Sequence, residues 1–346
     1  MRIAMMSAWN TDSGVALHAE PIGKELRKMG HKLTVFSFIE DDFHGDGITA
    51  SDEDYVVRCF GTQKTNFLDP RPILSIHFDI FIVQDLRMLP VKNLAKIFPL
   101  IKKRARTVHI VHENELPKEP WFYQFDWDLI IYFDKRQDFL KKIYPDAVYI
   151  PFPCFEIRRK DKLEARKRLD LPMNKKLIYC FAQRGYHSYL RDLPEKLENE
   201  TLLLHVVSKG YEMLEGKSPP SWMIVRQEEP LSQERFDEYL FASDALILHK
   251  FKSRYHALVS STAFQALGCG CPIFVPEGSD FFYPLEDVVV RYRDIEDLKE
   301  RLCTLLEDKR AFDEAIDRQD GFALMNSPKI IADRFIGFFT EILRRR

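Results

Sequence analysis

The chain lacks a surplus of either charge. Its 51 Lys and Arg residues are balanced by 53 Asp and Glu residues, which leaves a formal net charge of −2 over 346 residues. Dedicated nucleic-acid-binding proteins usually carry a basic surplus, so this balance argues against that class. No apolar run approaches the ~20 residues of a membrane span, and the chain enters a strand at Arg2 instead of a signal peptide. We therefore expect a soluble, cytoplasmic protein.

Cysteine is also scarce, with six residues spread over the chain. Cys269 and Cys271 are separated by one glycine, a spacing that suits neither a CxxC redox pair nor a zinc site. We therefore expect the cysteines to be reduced, buried side chains in a reducing compartment. Asp52 and Asp54 lie in a polar stretch that is typical of a solvated acidic loop. The sequence therefore predicts no metal site.

Apolar strands alternate with helices along the whole chain. In the first half, strands are predicted over residues 2–8, 31–38, 80–83, 108–111, 129–132 and 148–150, and helices over 15–29, 91–106 and 135–143. After Pro151 and Pro153 the pattern restarts, with strands over 176–181, 202–207, 223–225, 245–248, 273–275 and 288–292. Helices are predicted between and after these strands, over 233–242, 261–267 and 295–306, with two more at the end. This alternation predicts an α/β fold of two doubly wound parallel sheets.

The most informative segment is residues 250–275, which read KFKSRYHALVSSTAFQALGCGCPIFV. Its serine and threonine residues can cap a helix whose N–H groups and dipole favour an anion, and Gly268 and Gly270 can end that helix in a left-handed turn. Basic side chains just upstream could meet a phosphate. The candidate binding residues are Lys250, Lys252, Arg254, Ser260, Ser261 and Thr262. The alternative is a capped structural helix with solvated basic residues before it.

Two further candidates follow predicted strands of the first half. Gly14, preceded by Ser13, would let the backbone approach a phosphate or sugar at a helix N-terminus, although a plain tight turn explains it too. His112 ends a strand, where α/β proteins bind their ligands and where an imidazole could exchange protons near neutral pH. A satisfied histidine at a strand end is the alternative. His109 lies earlier in the same strand and is expected to pack.

Four segments together resemble the glycosyltransferases of the GT-B architecture, closest to the retaining, family-4-like branch that uses nucleotide sugars. They are RIAMMSAWNTDSGVALHAEPIGKELRKMGHKLTVF, TVHIVHENE, KKLIYCFAQRG and SDALILHKFKSRYHALVSSTAFQALGCGCPIFV. The resemblance covers nearly the whole chain. It implies two Rossmann-like domains facing a central cleft: an acceptor domain over 1–152, a donor domain over 153–327, and a terminal helix over 328–346 that crosses back to the first domain.

The resemblance also implies roles for individual residues. His112 would point at the sugar or acceptor, and Arg184 would bind the donor diphosphate. Glu277 could accept hydrogen bonds from a ribose. The implied reaction moves a hexose from a UDP- or GDP-linked sugar to a hydroxyl of a glycan, lipid-linked or small-molecule acceptor, with retention expected and the nucleotide sugar as substrate, not cofactor.

The chain departs from the family pattern at two donor-motif positions, which usually hold glutamates eight residues apart. They are Ala257 and Gln265 here. Lys209, Lys250, Lys252 or Arg254 could supply a phosphate cation in place of the lysine that usually follows the donor-domain arginine. Two alternatives stay open: a catalytically degenerate binding or scaffold subunit, and a nucleotide-sugar epimerase.

One helix raises the question of a membrane. Residues 91–106 place Leu94, Ile97, Phe98 and Ile101 beside a basic tail, which could form an amphipathic surface for anionic lipid. The alternative is an ordinary helix that packs on the sheet, with its basic end favouring the C-terminal dipole. Peripheral contact with the inner membrane face is therefore a second hypothesis about localisation.

Overall fold

The strands of this protein form two separate sheets, each within its own compact unit. The computed structural model describes residues 1–40, 42, 47–62, 64–182, 201–206, 221–228, 231–250 and 257–345. The first unit contains Met1–Pro153, Tyr255–Ser261 and Asn326–Arg346, and the second contains Cys154–Arg254 and Thr262–Met325. Both sheets are largely parallel and carry helices, which confirms the predicted doubly wound α/β class.

The first sheet has eight strands, and its order reverses at its centre. The strands are β1 (Arg2–Met6), β2 (Lys32–Phe38), β3 (Val56–Gly61), β4 (Phe67–Leu68), β5 (Ile80–Gln84), β6 (Arg106–Ile110), β7 (Leu129–Tyr132) and β8 (Val148–Tyr149). They lie in the order β4-β3-β2-β1-β5-β6-β7-β8, and only the β3–β4 pair is antiparallel. The chain thus winds outward from β1 in both directions. In such sheets the crevice beyond the carboxyl ends of the strands, at the point of reversal, is where ligands bind.

Helices α1 (Gly14–Lys28), α2 (Pro70–Ser75), α3 (Val91–Lys102) and α9 (Pro328–Arg344) belong to the first unit. Ser13 caps α1, since its side chain accepts a hydrogen bond from the backbone N–H of Ala16. Helix α9 packs against α1.

The apolar face of α3 is buried in the core of the first unit. Leu94, Ile97, Phe98 and Ile101 are each 9% exposed or less and belong to one cluster with the sheet. Packing in the core therefore explains the amphipathic pattern of α3. The apolar residues on which the membrane hypothesis was based are not available to contact lipid. Among the described residues, no helix is long and apolar enough to cross a bilayer.

The second sheet has six strands, all parallel, and repeats the central reversal. The strands are β9 (Leu177–Ala182), β10 (Thr201–Val206), β11 (Met223–Gln227), β12 (Ala245–Ile247), β13 (Ile273–Pro276) and β14 (Val290–Tyr292). Their order is β11-β10-β9-β12-β13-β14, so this unit reverses between β9 and β12. The remaining helices are α4 (Lys162–Arg168), α5 (Gln233–Ala242), α6 (Ser261–Ala266), α7 (Ile295–Glu307) and α8 (Lys309–Met325).

The turn after α6 has the predicted left-handed backbone. Gly268 and Gly270 have φ of +81° and +79°. A Cβ at Gly268 would also lie 3.0 Å from the Cα of Ile157, so both backbone strain and crowding exclude a larger residue. Helix α6 itself is one residue shorter than predicted.

The acidic stretch of the first unit is exposed, as predicted, but one of its carboxylates has fixed partners. Asp52 is exposed and binds the Arg58 guanidinium through both oxygens, and it accepts a hydrogen bond from Asn10. Burial acts to raise the pKa of Asp52, but the hydrogen bonds from Arg58 and Asn10 outweigh it, so the pKa is lowered. Asp54 is exposed as well.

Candidate functional site

A buried glutamine connects two histidines at the carboxyl end of the first sheet. Gln84 ends β5, His112 follows β6, and His18 lies one turn into α1. The Oε1 atom of Gln84 is 3.1 Å from Nδ1 of His18 and 3.1 Å from Nε2 of His112. The two imidazole rings meet edge to face, with centroids 5.3 Å apart. The three side chains therefore form one polar network where the strand order reverses.

Aromatic rings surround this network and keep both imidazoles neutral. Phe133 lies 4.8 Å from the His112 ring and 5.2 Å from the His18 ring, measured between centroids. Burial lowers the pKa of His112 to about 3, and the positive charge of Arg87 acts in the same direction. The pKa of His18 is likewise lowered, by burial and then by His112. The low pKa favours a neutral His112 imidazole at pH 7, and its Nε2 lies within hydrogen-bond distance of Gln84.

A charged group lies next to His112 at the ends of β5 and β6. The Glu113 side chain is buried, and its Oε2 accepts a hydrogen bond from the His112 backbone N–H. Arg87 places its Nε 3.3 Å from Asp85 Oδ1 and 3.7 Å from Glu113 Oε1. Burial raises the pKa of Glu113 to about 8, with the Asp85 carboxylate adding to the shift. Glu113 therefore holds a proton at neutral pH.

The backbone around His112 is fixed by its neighbours. The amide of Gln137 donates to the carbonyl oxygens of Val111 and Glu113, on either side of the histidine. Asp85 has a left-handed backbone with φ of +49°, unusual for a residue with a side chain. Such strained conformations concentrate at functional sites.

Helix α1 begins at Gly14, one turn before His18. Gly14 is exposed, and a Cβ at this position would lie 3.4 Å from Ser261 Oγ, so the structure brings these two predicted residues together. Arg136 donates to the carbonyl oxygen of Leu258 and so tethers the segment 257–261 to the first unit. Ser13 uses its hydroxyl as the helix cap, which satisfies that side chain within the protein.

The remaining predicted residues have other local contacts or lie outside the described residues. Ser260 and Thr262 are buried, whereas Ser261 is half-buried. Lys250 places its Nζ 5.7 Å from the Phe281 ring centroid. Glu277 is exposed after β13, where its backbone N–H donates to the Tyr292 carbonyl oxygen. Arg184, Lys209, Lys252 and Arg254 lie outside the described residues.

The two positions that lack the expected glutamates have different surroundings. Ala257 is buried and has φ of +54°. Gln265 donates from its amide to Gln233 Oε1 at 2.5 Å, and Gln233 donates to Asp237 Oδ1 at 2.7 Å. Asp237 in turn is bound by Arg158 through both oxygens. The side chain at position 265 is thus committed to a network inside the second unit.

His18, Gln84 and Glu113 were not anticipated from the sequence. Gln84 could have been found in the same way as His112, as a polar residue that directly follows a predicted apolar strand, here residues 80–83. His18 carries no such signal, because one histidine on the buried face of an amphipathic helix is an ordinary packing residue.

Comparison with solved structures places the fold among known enzymes, whereas no protein-family model matches the sequence. Sucrose-phosphate synthase from Thermosynechococcus elongatus superposes with a TM-score of 0.69 and 11% identity, over 100% of both chains. An α-glucosyltransferase in complex with UDP matches at a TM-score of 0.65 and 14% identity, over 98% of this chain and 100% of the other. The starch synthase IV catalytic domain from Arabidopsis thaliana, bound to ADP and acarbose, matches at 0.64 and 11%, over 99% of each. This chain therefore has the GT-B fold of glycosyltransferases, with two Rossmann-like units, and is divergent in sequence from the structures it resembles.

Proposed function

We propose that this protein transfers a hexosyl group from a UDP- or GDP-linked sugar to an acceptor hydroxyl, with retention at the anomeric carbon. The observation that carries the proposal is the His18–Gln84–His112 network at the reversal point of the first sheet. A neutral, aromatic-lined polar group at that place suits an uncharged sugar. The GT-B fold supports a nucleotide-sugar donor, and the proteins of similar fold include complexes with UDP and ADP.

In this proposal the first unit supplies the acceptor side and the second unit the donor side. The diphosphate would be bound by Arg184 and by a lysine or arginine among Lys209, Lys250, Lys252 and Arg254, with Ser261 contributing a hydroxyl. Fixed dipoles and guanidinium groups of this kind stabilise the charge of a departing nucleotide without a metal or cofactor. Gly14 would let the sugar approach the start of α1.

His112 contributes a hydrogen bond and not a proton. Its depressed pKa leaves a neutral imidazole at pH 7, which can accept from a hydroxyl and orient it. Positioning of this kind, together with electrostatic stabilisation of the leaving group, would account for most of the catalysis. The acceptor class and a cytoplasmic location belong to the same proposal.

A second candidate, a degenerate binding or scaffold subunit, rests on one departure of the sequence from the family pattern. Gln265 stands where the family carries an acidic residue, and its amide is already engaged by Gln233. A donor contact at this position would require that network to break. The degenerate subunit would bind a nucleotide and turn over no sugar.

Nucleotide binding and turnover together separate these candidates. Full-length protein is screened for thermal stabilisation by UDP, GDP and ADP, and then for hydrolysis, transfer or epimerisation of the matching nucleotide sugars. A glycosyltransferase should be stabilised by one diphosphate at saturating concentration and should transfer its sugar to an added acceptor. Stabilisation without any turnover would support the degenerate subunit, and conversion of UDP-N-acetylglucosamine without acceptor would indicate an epimerase. No stabilisation by any nucleotide would count against all three.

The diphosphate contacts are tested by calorimetry with the nucleoside as reference. Arg184→Ala and Ser261→Ala should each weaken binding of the diphosphate by roughly ten-fold or more and leave binding of the nucleoside unchanged, since a hydrogen bond to a charged group contributes about 1.5–3 kcal/mol. Thr340→Ala is the control, because the Thr340 hydroxyl donates to the Ile336 carbonyl oxygen within α9 and its loss should leave diphosphate binding unchanged. Unchanged diphosphate binding in both variants would remove them from the site.

A further inference from the structure

The contacts of Gln84 determine where protons lie on the two histidines. Its carbonyl-type oxygen faces Nδ1 of His18 and Nε2 of His112, both at 3.1 Å, and its amide nitrogen lies 3.6 Å from the Met5 sulfur. An amide oxygen can only accept hydrogen bonds. Each ring nitrogen that faces it must therefore carry a proton.

The second nitrogen of His112 follows from that assignment. A neutral imidazole has one N–H, so protonation of Nε2 leaves a lone pair on Nδ1. His112 is half-buried, and its Nδ1 has no hydrogen-bond partner within the described part of the chain. A lone pair accepts from a hydroxyl group and has nothing to offer a phosphate or carboxylate oxygen, which is itself an acceptor.

We propose that Gln84 and His18 are positioning residues that hold His112 in the Nε2–H tautomer, so that Nδ1 accepts a hydrogen bond from a hydroxyl of a neutral sugar. The tautomer depends only on the contacts of these three side chains. The identity of the ligand rests on the proposed glycosyl transfer. His18 takes part because it occupies the same oxygen and packs edge to face against His112, which fixes the orientation of both the amide and the ring.

A rotated Gln84 amide would place the proton of His112 on the other ring nitrogen. If the Gln84 amide were rotated, its NH₂ group would face both histidines, and His112 would carry its proton on Nδ1. His112 would then donate to a ligand and could bind an anion. The rotated amide would exchange its N–H···S contact with Met5 for a carbonyl oxygen facing the sulfur, which is the poorer pairing.

Nitrogen NMR of the full-length protein, labelled with ¹⁵N in its histidines, reads the tautomer directly at pH 7. His18→Asn and His112→Asn assign the signals. The expected result is a protonated Nε2 and an unprotonated Nδ1 on His112, with the reverse on His18. A proton on Nδ1 of His112, or a doubly protonated ring, would overturn the positioning role.

Two substitutions at position 84 test that role through turnover. Gln84→Met removes the acceptor at similar volume, so His112 should populate both tautomers and kcat/KM should fall roughly ten-fold, the loss of about one hydrogen bond. Gln84→Glu keeps an acceptor-only group and, at pH 8, should restore both the Nε2–H tautomer and most of the activity. Equal activity in Gln84→Met and the parent chain would contradict the proposal.

The ligand is tested with four probes added to the labelled protein: UDP-glucose, glucose, UDP and inorganic phosphate. The Nδ1 signal of His112 should shift with UDP-glucose if the hydroxyl belongs to the donor, or with glucose if it belongs to the acceptor. UDP and phosphate should leave it unchanged. A response to phosphate, or to none of the probes, would overturn the ligand assignment. An Nε2–H tautomer in a protein that transfers no sugar would uphold the positioning role and overturn the proposed function.

Discussion

His109 and His112 lie three residues apart near the end of the same strand, yet their surroundings differ in kind. His109 is fully buried between Phe122 and Trp127, and neither of its ring nitrogens has a hydrogen-bond partner among the residues that the structure describes. His112 bonds to Gln84 and lies among charged residues at the strand end. Burial lowers the pKa of both to about 3. A depressed pKa therefore does not distinguish the two histidines, whereas the hydrogen bond of His112 to Gln84 at the strand end does.

The largest expected difference between the two positions is in turnover. His112→Ala should reduce kcat/KM by roughly 10²-fold, because it removes an oriented hydrogen bond to the substrate. His109→Phe should leave kcat/KM unchanged, since the ring has no route to a ligand. Steady-state kinetics on both variants, with the nucleotide sugar found in the screen, measures this. Equal losses in the two variants would break the comparison.

For stability at acid pH, the larger effect is expected at His109 and not at His112. The unfolded state binds a proton on His109 below pH 6.5 and the folded state does so only near pH 3, so stability falls as pH decreases through that window. His109→Phe removes this loss, and its advantage over the parent chain should grow by on the order of 2 kcal/mol between pH 7 and pH 5. Urea unfolding at the two pH values measures it.

The control for acid stability is His77→Asn, which changes an exposed histidine. This variant should follow the parent chain at both pH values. A His109→Phe curve parallel to the parent would show that His109 is already hydrated in solution.

Glu113 should produce the opposite pH dependence next to His112. Its pKa is raised to about 8, so between pH 4.5 and pH 8 the folded state holds a proton that the unfolded state has lost, and stability falls as pH rises. Glu113→Gln removes this titration, so the free energy of unfolding of the variant relative to the parent chain should increase from pH 5 to pH 8. Unfolding measurements at both pH values test this, with the exposed Glu119→Gln as control. Parallel curves would mean that Arg87 keeps Glu113 ionised.

The smallest expected effect on stability is at Gly14, which lies one turn before His18 at the start of α1. A Cβ there makes only an ordinary contact with Ser261, so Gly14→Ala should change the free energy of unfolding by less than about 0.5 kcal/mol. Nucleotide-sugar affinity should nonetheless fall roughly ten-fold if a ligand approaches the backbone at this point. Gly321→Ala, in α8 with open space around it, is the matched control and should leave affinity unchanged. Equal affinities for both variants would place the ligand elsewhere.

The sheets were predictable because parallel strands are buried on both faces and appear as short apolar runs. The predicted bounds of β7 and α5 agree with the structure to the residue. Strands β3 and β4 and helices α2 and α4 were missed. Val56–Gly61 contains an arginine and follows a polar stretch, Phe67–Leu68 is too short to show a pattern, and Lys162–Arg168 is a short, highly charged segment. The site was predictable only at strand ends. His18 was recognised from tertiary structure alone, because the residue that it contacts by hydrogen bonding, Gln84, lies 66 positions away along the chain.

The Gln265–Gln233–Asp237 chain has a consequence for how this sequence can evolve. Gln265→Glu, the single change that would restore the acidic donor position, would set a carboxylate against the Gln233 oxygen that now accepts from the amide. Rotating Gln233 would satisfy the new glutamate and turn its oxygen toward Asp237 instead. A carboxylate faces an amide oxygen in either case, although Arg158 still binds Asp237, so the reversion is epistatic: it favours a second substitution at position 233, such as lysine, which could donate to both carboxylates. The neighbouring side chains thus disfavour a glutamate at position 265. Gln265→Glu alone should lower the free energy of unfolding, whether or not it restores a donor contact.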